Sequence, residues 1–184
     1  QILFQAKQNG VLVEYADARF IQKLSPTGHS QGVVAMIATK DYIDLDDLLE
    51  ASQRKDGWPL YIILDGIEDP HNLGAILRTA DAAGVHGVII PERRAVGLTA
   101  AVSRASAGAV EYVPVARVSN IAKTITALRK QGIWTVGVDM DGDSGYTHAD
   151  YDQAIALVIG AEGKGLSRLV KERCDLLISI PMKG

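Results

Sequence analysis

The sequence predicts an α/β protein: a mostly parallel sheet with helices on both faces. Two observations carry that prediction. From Leu60 onward, short apolar runs alternate with stretches of helical period. The runs are continuously apolar rather than alternating with polar residues, as in strands buried on both sides, and helices between such strands imply parallel pairing.

Taken in chain order, the first 40 residues read as short α/β structure. They hold a helix-length opening, the strand-like "GVLVEYA", a loop "SPTGHSQG" and the strand "GVVAMIA". "DYIDLDDLLEASQRKDGWP" sets Leu45, Leu48 and Leu49 at helical spacing and closes on Gly57 and Pro59, which predicts a linker helix over 41–59. The main domain, 60–184, opens on the strand "LYIIL". In "NLGAILRTADAAG", Leu73, Ile76, Leu77, Ala80 and Ala83 keep a helical period, with Asn72 as the expected N-cap and Gly84 as the stop. "VHGVIIP" is a strand, "LTAAVSRASAGA" a helix, and "VEYVPVARV" a strand. "SNIAKTITALRKQG" is a helix capped by Ser119 or Asn120 and stopped at Gly132. "IWTVGV" and "IALVIG" are strands on either side of the polar loop "DMDGDSGYTHADYDQ". "LSRLVKERC" is a helix, and "LLISIPM" the last strand.

Composition narrows the function. In 184 residues the charged share is 22% and the formal net charge −3, so no overall basic bias advertises a nucleic-acid binder, although local clusters can still make one. The lone Cys174 cannot form an internal disulfide or a cysteine-based metal site, and His29, His71, His86 and His148 lack the i, i+4 pairing of a helical metal site. No metal is expected. No apolar run reaches the roughly 18 residues of a membrane span and no secretion signal is visible; the lone thiol fits a reducing compartment, and a cytoplasmic protein is expected on that ground.

In parallel sheets ligands bind beyond the carboxyl ends of the strands. Three post-strand loops therefore matter. In the first, Asp69, Pro70 and Asn72 make a good strand-to-helix connection. Arg78 follows Leu77 in a helix of small residues (Gly74, Ala75, Thr79, Ala80), where another backbone or a ligand can come close and a guanidinium can grip phosphate in bidentate fashion. The second, "LVIGAEGKGL", matches neither the Walker pattern nor G-x-G-x-x-G. Its glycines make a tight turn or bare main chain for a ligand. Glu162 would repel a phosphate and favours a nucleoside edge or a cation. The third, "ISIPMKG", ends its strand at Pro181 and leaves Ile180 and Met182 as backbone groups or an apolar wall.

Together, "DPHNLGAILRTADAAG", "ALVIGAEGKGLSRLV" and "LISIPMKG", in this order, resemble the three signature motifs of the SpoU (TrmH-type) RNA ribose 2′-O-methyltransferases of the SPOUT superfamily. The resemblance covers Leu60 to Gly184. "HSQGVVAMI" is similar to the end of the small ribosomal-protein-like RNA-binding domain of one branch. That branch includes the bacterial enzyme methylating a guanosine in the peptidyl-transferase region of large-subunit ribosomal RNA.

The resemblance implies a C-terminal trefoil knot, S-adenosyl-L-methionine as cofactor, RNA as partner, and a homodimer. By residue matching it implies Gly160 and Ile180 as cofactor contacts, with Ala161, Glu162, Gly163 and Met182 lining the pocket and the turn near Val138 and Asp139 contributing. Arg78 matches the catalytic arginine, and Asn72 and Glu162 the polar residues around it. Arg78 is then expected to clamp a phosphate and Glu162 to orient Asn72 or Arg78. The family's third motif continues into a Ser-Leu-Asn segment and a closing helix, which this text lacks. A transfer-RNA guanosine is the alternative substrate. A non-enzymatic RNA-binding or assembly protein, and a nucleotide-binding α/β protein using the Gly160 loop, are the rival readings. Arg93 and Arg94 in "IPERR", with Arg104, are further candidates for phosphate contact, whereas Lys123 and Arg129 read as solvated surface.

Overall fold

The computed structural model describes residues 2–25, 30–36, 40–53 and 57–182. It divides into two compact units, Gln1–Ala38 and Thr39–Gly184. The first holds α1 (Ile2–Gln8) and α2 (Ala18–Leu24), the latter capped by Asp17, whose carboxylate accepts from the Phe20 amide at 2.8 Å. The strand expected at 10–16 does not form. Val11, Leu12 and Val13 are exposed and have no ladder partner among the described residues, and an apolar run without a neighbour to pair with has no reason to stay extended. Residues 32–36 are not strand either. Residues 26–29 of the expected loop and 37–38 of the expected strand lie outside the described residues.

In the second unit a seven-stranded sheet is built from β1 (Leu60–Asp65), β2 (Gly87–Pro91), β3 (Val115–Val118), β4 (Trp134–Val138), β5 (Ser144–Gly145), β6 (Ile155–Gly160) and β7 (Leu176–Ser179). Their order is β3-β2-β1-β6-β4-β7-β5, and every ladder is parallel. The helices are α3 (Leu45–Gln53), α4 (Pro70–Ala82), α5 (Ala100–Ala105), α6 (Ile121–Lys130) and α7 (Arg168–Lys171). The helix expected between the two parts, α3, lies inside this larger unit, with Leu48 and Leu49 buried in its core.

Strand pleating distributes the core. Tyr61 and Ile63 of β1 join the cluster under α3, α6 and α7, while Ile62 and Leu64 join the opposite cluster under α4. Two expectations about local structure are corrected. The cap of α4 is Asp69, which accepts from the His71 amide at 3.1 Å, with Pro70 at the first helical position; Asn72 is therefore already inside the helix and its side chain is free for other work. The strand expected over "VEYVPVARV" begins only at Val115, because Pro114 interrupts it and Ala109–Glu111 form a 3₁₀ turn. Asn120 caps α6, and Gly84 and Gly132 close their helices at positive φ.

Gly74 shows what the small residues of α4 are for. A Cβ there would lie 2.4 Å from the Ala105 Cβ and 2.8 Å from the Ala105 carbonyl carbon, so α5 crosses α4 at this point. It is a neighbouring backbone, not a ligand, that approaches.

The last strands are placed by a crossover. Val138 at the end of β4 and Ser144 at the start of β5 both pair with Ile178, so the 139–143 connection passes over β7. Its contact is close: a Cβ on Gly142 would meet the Ile178 carbonyl carbon at 2.3 Å and the Ser179 nitrogen at 2.6 Å.

Candidate active site

Strand order locates the site. From β1 the chain steps outward through β2 and β3, then returns to build β4, β6, β7 and β5 on the other side of β1. The direction reverses at the β1/β6 boundary, and such a reversal opens a crevice beyond the strand ends. Registers bring four of those ends to one edge: Asp65 opposite Gly160, Ile159 opposite Val138, and Val138 opposite Ile178. Gly160 and the end of β7 are thus two strands apart, about 10 Å across the sheet.

The loops after β1 and β6 meet over that crevice. The Asn72 side-chain amide donates to the Glu162 carboxylate at 3.2 Å. Asn72 stands there because Asp69 and Pro70 have started α4 two residues earlier. Glu162 is exposed at the tip of the turn that follows Gly160. On the same edge the Asp65 carboxylate accepts from the Ser167 amide at 2.7 Å, tying the end of β1 to the far side of the turn.

The turn itself is folded back on its own chain. Ala161 and Gly165 exchange hydrogen bonds at 3.1 and 2.8 Å, and the Lys164 amide donates to the Ala161 carbonyl. Gly160 is a glycine because of this: a Cβ would lie 2.1 Å from the Gly165 carbonyl carbon and 2.2 Å from its oxygen. Two of the amides read as bare main chain, those of Ala161 and Gly165, are spoken for internally. The positive φ of Gly163 and Gly165 shapes the reversal.

Behind the turn, Asp139 is buried and ion-paired with Lys171 at 2.7 Å. The hydrogen bond from the Lys171 ammonium holds the Asp139 carboxyl below its usual range, against the opposing effect of burial. Asp139 therefore braces the crossover with an internal partner. Beyond the strand ends, Met140, Ile180 and Met182 are exposed apolar side chains following Val138 and Ile178, strand neighbours in register. Exposed apolar groups beside a turn carrying a carboxylate suit a ligand that is part aromatic and part cationic, with no anionic end at the turn. The residues fit an adenosine-bearing sulfonium. Among the described residues no group of three or more His, Cys, Asp or Glu could hold a metal ion, and no helix is long and apolar enough to cross a membrane.

Arg78 is not drawn into the Asn72–Glu162 pair. It is exposed, and among the described residues no hydrogen bond or ion pair engages it. Six residues further along α4, it stands about 9 Å along the axis and roughly 120° around the helix from Asn72. Sequence reasoning passed over Asp65 and Ser167, although an aspartate closing an otherwise apolar run was a signal. It could not foresee Lys171 as the partner of Asp139.

Residues 59–184 match the SpoU rRNA Methylase family, and residues 1–43 match the family described as RNA 2′-O ribose methyltransferase substrate binding. Among curated proteins, the chain is 50% identical over 184 residues to YacO of Bacillus subtilis (strain 168), named for the TrmH family of tRNA/rRNA methyltransferases; the match covers all of this chain and 74% of that protein. A namesake family member from Staphylococcus haemolyticus (strain JCSC1435) is 49% identical over 183 residues, 73% of its length. Of solved structures, the SpoU methyltransferase AviRb from Streptomyces viridochromogenes in complex with AdoMet is similar with a TM-score of 0.67 and 33% identity, over 78% of this chain and 57% of AviRb. The AdoMet-bound rRNA methyltransferase from Sinorhizobium meliloti gives a TM-score of 0.69 and 31% identity, over 79% of this chain and 54% of that one.

Proposed function

The chain belongs to the SpoU rRNA methylase family, and on that premise we propose that it is an S-adenosyl-L-methionine-dependent RNA ribose 2′-O-methyltransferase acting on a guanosine of large-subunit ribosomal RNA. The observation that carries the reading is the Asn72–Glu162 hydrogen bond across the β1/β6 crevice, beside a glycine turn and an exposed apolar strand edge. The similar methyltransferase structures from Streptomyces viridochromogenes and Sinorhizobium meliloti hold AdoMet, which supports the cofactor. The match of the N-terminal residues to a substrate-binding family supports RNA as the partner.

The pocket residues are Gly160, Ala161, Glu162 and Gly163 from the turn and Ile180 and Met182 from the β7 end, with Val138 and Asp139 behind them. When bound, S-adenosyl-L-methionine supplies an electrophilic methyl group, so the chain's work is to place a ribose 2′-oxygen in line with it. Glu162 holds the Asn72 amide in place, and Asn72 is left to orient the ribose. A guanidinium offers only donors, so Arg78 is not the proton acceptor. It clamps the phosphate beside the target ribose and steadies charge growing on the oxygen. As the oxygen–carbon bond forms and the sulfur–carbon bond breaks, the hydroxyl proton passes to a phosphate oxygen or to water.

The separation of Arg78 from Asn72 within one chain supports a homodimer, in which the exposed Ala75–Arg78–Thr79 face of α4 meets a second copy and completes the site. The 139–143 crossing over β7 supports a knotted C-terminus, an exception to the general avoidance of threading. A reduced Cys174 and an RNA substrate fit the cytoplasm.

Mapping 2′-O-methylated riboses in RNA from cells with and without the gene tests the reading. Loss of one methyl from a large-subunit rRNA guanosine is expected. Loss from a transfer RNA instead would reassign the substrate, and RNA binding with no methyl lost anywhere would leave a binding protein on the same scaffold.

A further inference from the structure

A second groove opens on the opposite side of the β1 end from α4. It encloses about 250 Å³ and is lined by Asp65 and Gly66, by Arg93 and Arg94, by the Asn120–Ala122 start of α6 and by Leu169 and Val170. Its volume is below the roughly 300–1,000 Å³ of sites for drug-sized ligands, room for one nucleotide unit rather than a whole cofactor.

Its chemistry is divided. Leu169, 47% exposed, forms an apolar wall with Val170 and Ile121. Arg93 and Arg94 are exposed, and among the described residues no hydrogen bond or ion pair engages either. The one carboxylate in the lining, Asp65, is occupied by the Ser167 amide.

The backbone turn that carries the arginines is anchored. The Glu92 amide donates to the Val118 carbonyl and the Val96 amide to the Ile67 carbonyl, both at 2.9 Å, so their turn is fastened at each end. Arg94 sits at φ 56, a left-handed conformation that strains a residue with a side chain. Glycine would relieve that strain and would remove the guanidinium. Strain kept where glycine would serve is the pattern of a functional position.

Gly66 links this groove to the crevice. It lines the groove, and a Cβ placed on it would be 3.8 Å from the Ala161 Cβ. The groove and the crevice turn are therefore neighbours, and at Gly66 the sheet edge between them carries no side chain of its own. We propose that the groove seats a nucleotide of the RNA strand flanking the methylated ribose, with its phosphate on Arg93 and Arg94 and its base against the Leu169 wall. This rests on RNA being the substrate, as proposed above, and adds which part of the strand is gripped and by what. A polyanion is favoured over a free nucleotide by that continuity: the same chain that presents its ribose in the crevice supplies the next phosphate to the arginines.

The test uses the full chain with Arg93→Ala, Arg94→Ala, the double variant, Leu169→Asp, and Lys130→Ala as an exposed cation outside the groove. Binding of a labelled single-stranded RNA is measured across a salt series, alongside S-adenosyl-L-methionine calorimetry and methylation of ribosomal RNA. The double variant is expected to bind RNA about tenfold or more weakly, as for two lost charge-assisted contacts. Its salt slope should fall by about 0.7, the value for one single-strand phosphate. KM should rise with it, while kcat and cofactor affinity stay within twofold. Leu169→Asp should weaken RNA binding, and Lys130→Ala should leave it unchanged. A double variant that keeps the parental slope and KM would overturn the groove while leaving the methyltransferase reading intact. A slope that falls in a protein transferring no methyl would do the reverse. Wild-type chain that binds a mononucleotide here but no RNA strand would also overturn it.

Discussion

Gly160→Ala probes the turn at the centre of the site. The new methyl would sit 2.1–2.4 Å from the Gly165 carbonyl group and the Leu166 nitrogen, all of it backbone, so no side chain can swing aside. Either β6 shifts against β1 and β4, or the turn opens and gives up the two Ala161–Gly165 hydrogen bonds. Overpacking of a tight contact costs about 1–3 kcal/mol, and each net hydrogen bond about 0.5–1.5 kcal/mol. A loss of about 2–4 kcal/mol is expected, and for a chain of this size that lowers Tm by roughly 4–16 °C. Urea denaturation followed by circular dichroism measures it, and calorimetry with S-adenosyl-L-methionine on the still-folded fraction should show weakened binding. Gly163→Ala is the internal comparison. Nothing lies within 4 Å of its Cβ position, so only its φ of +74 opposes the change, at about 1–2 kcal/mol. If Gly160→Ala lost no more stability than Gly163→Ala, the argument from close backbone approach would be wrong.

Other outcomes follow from the same site. Arg78→Lys keeps the charge but not the planar fork, so kcat/KM for RNA methylation should fall at least tenfold with cofactor affinity and Tm unchanged; near-normal turnover would rule out a bidentate clamp. Glu162→Gln keeps an acceptor for Asn72 in an exposed hydrogen bond, so stability should change by less than about 0.5 kcal/mol while kcat drops, and a full rate would remove the orienting role. Asp139, its pKa depressed by Lys171, stabilises the fold above the ordinary carboxyl value, and that contribution is lost as pH falls through the lowered folded value. Lys171 is partly exposed, so Lys171→Met should cost about 1–3 kcal/mol at pH 7, as for a buried acceptor left unsatisfied, with the gap to the parent closing below about pH 4 in a denaturation series.

Much of the fold was legible in the chain. Continuous apolar runs announced buried parallel strands, because a strand covered on both faces has no polar side to display. Gly84, Asn120 and Gly132 marked helix ends, because capping is decided by residues adjacent in sequence. The family resemblance carried by "DPHNLG" and "GAEGKG" implied that Asn72 and Glu162 lie together, and their side chains do meet in a hydrogen bond. The stretch 10–16 failed as a strand for the complementary reason: extended structure needs a partner, and composition cannot supply one. The role of Asn72 was misread as a cap, since Asp69 and Pro70 compete for the helix start and only backbone geometry shows which won.

What the sequence determined by itself was therefore local: which segments are strands and helices, where most of them end, and which loops carry polar residues out of apolar runs. Tertiary structure alone decided the rest. It inserted β7 between β4 and β5. It paired Asp139 with Lys171 and set Arg93 and Arg94 over the start of α6. Each of these is a meeting of residues distant in sequence, brought about by strand order and register, and periodicity along a chain holds no information about which strands become neighbours.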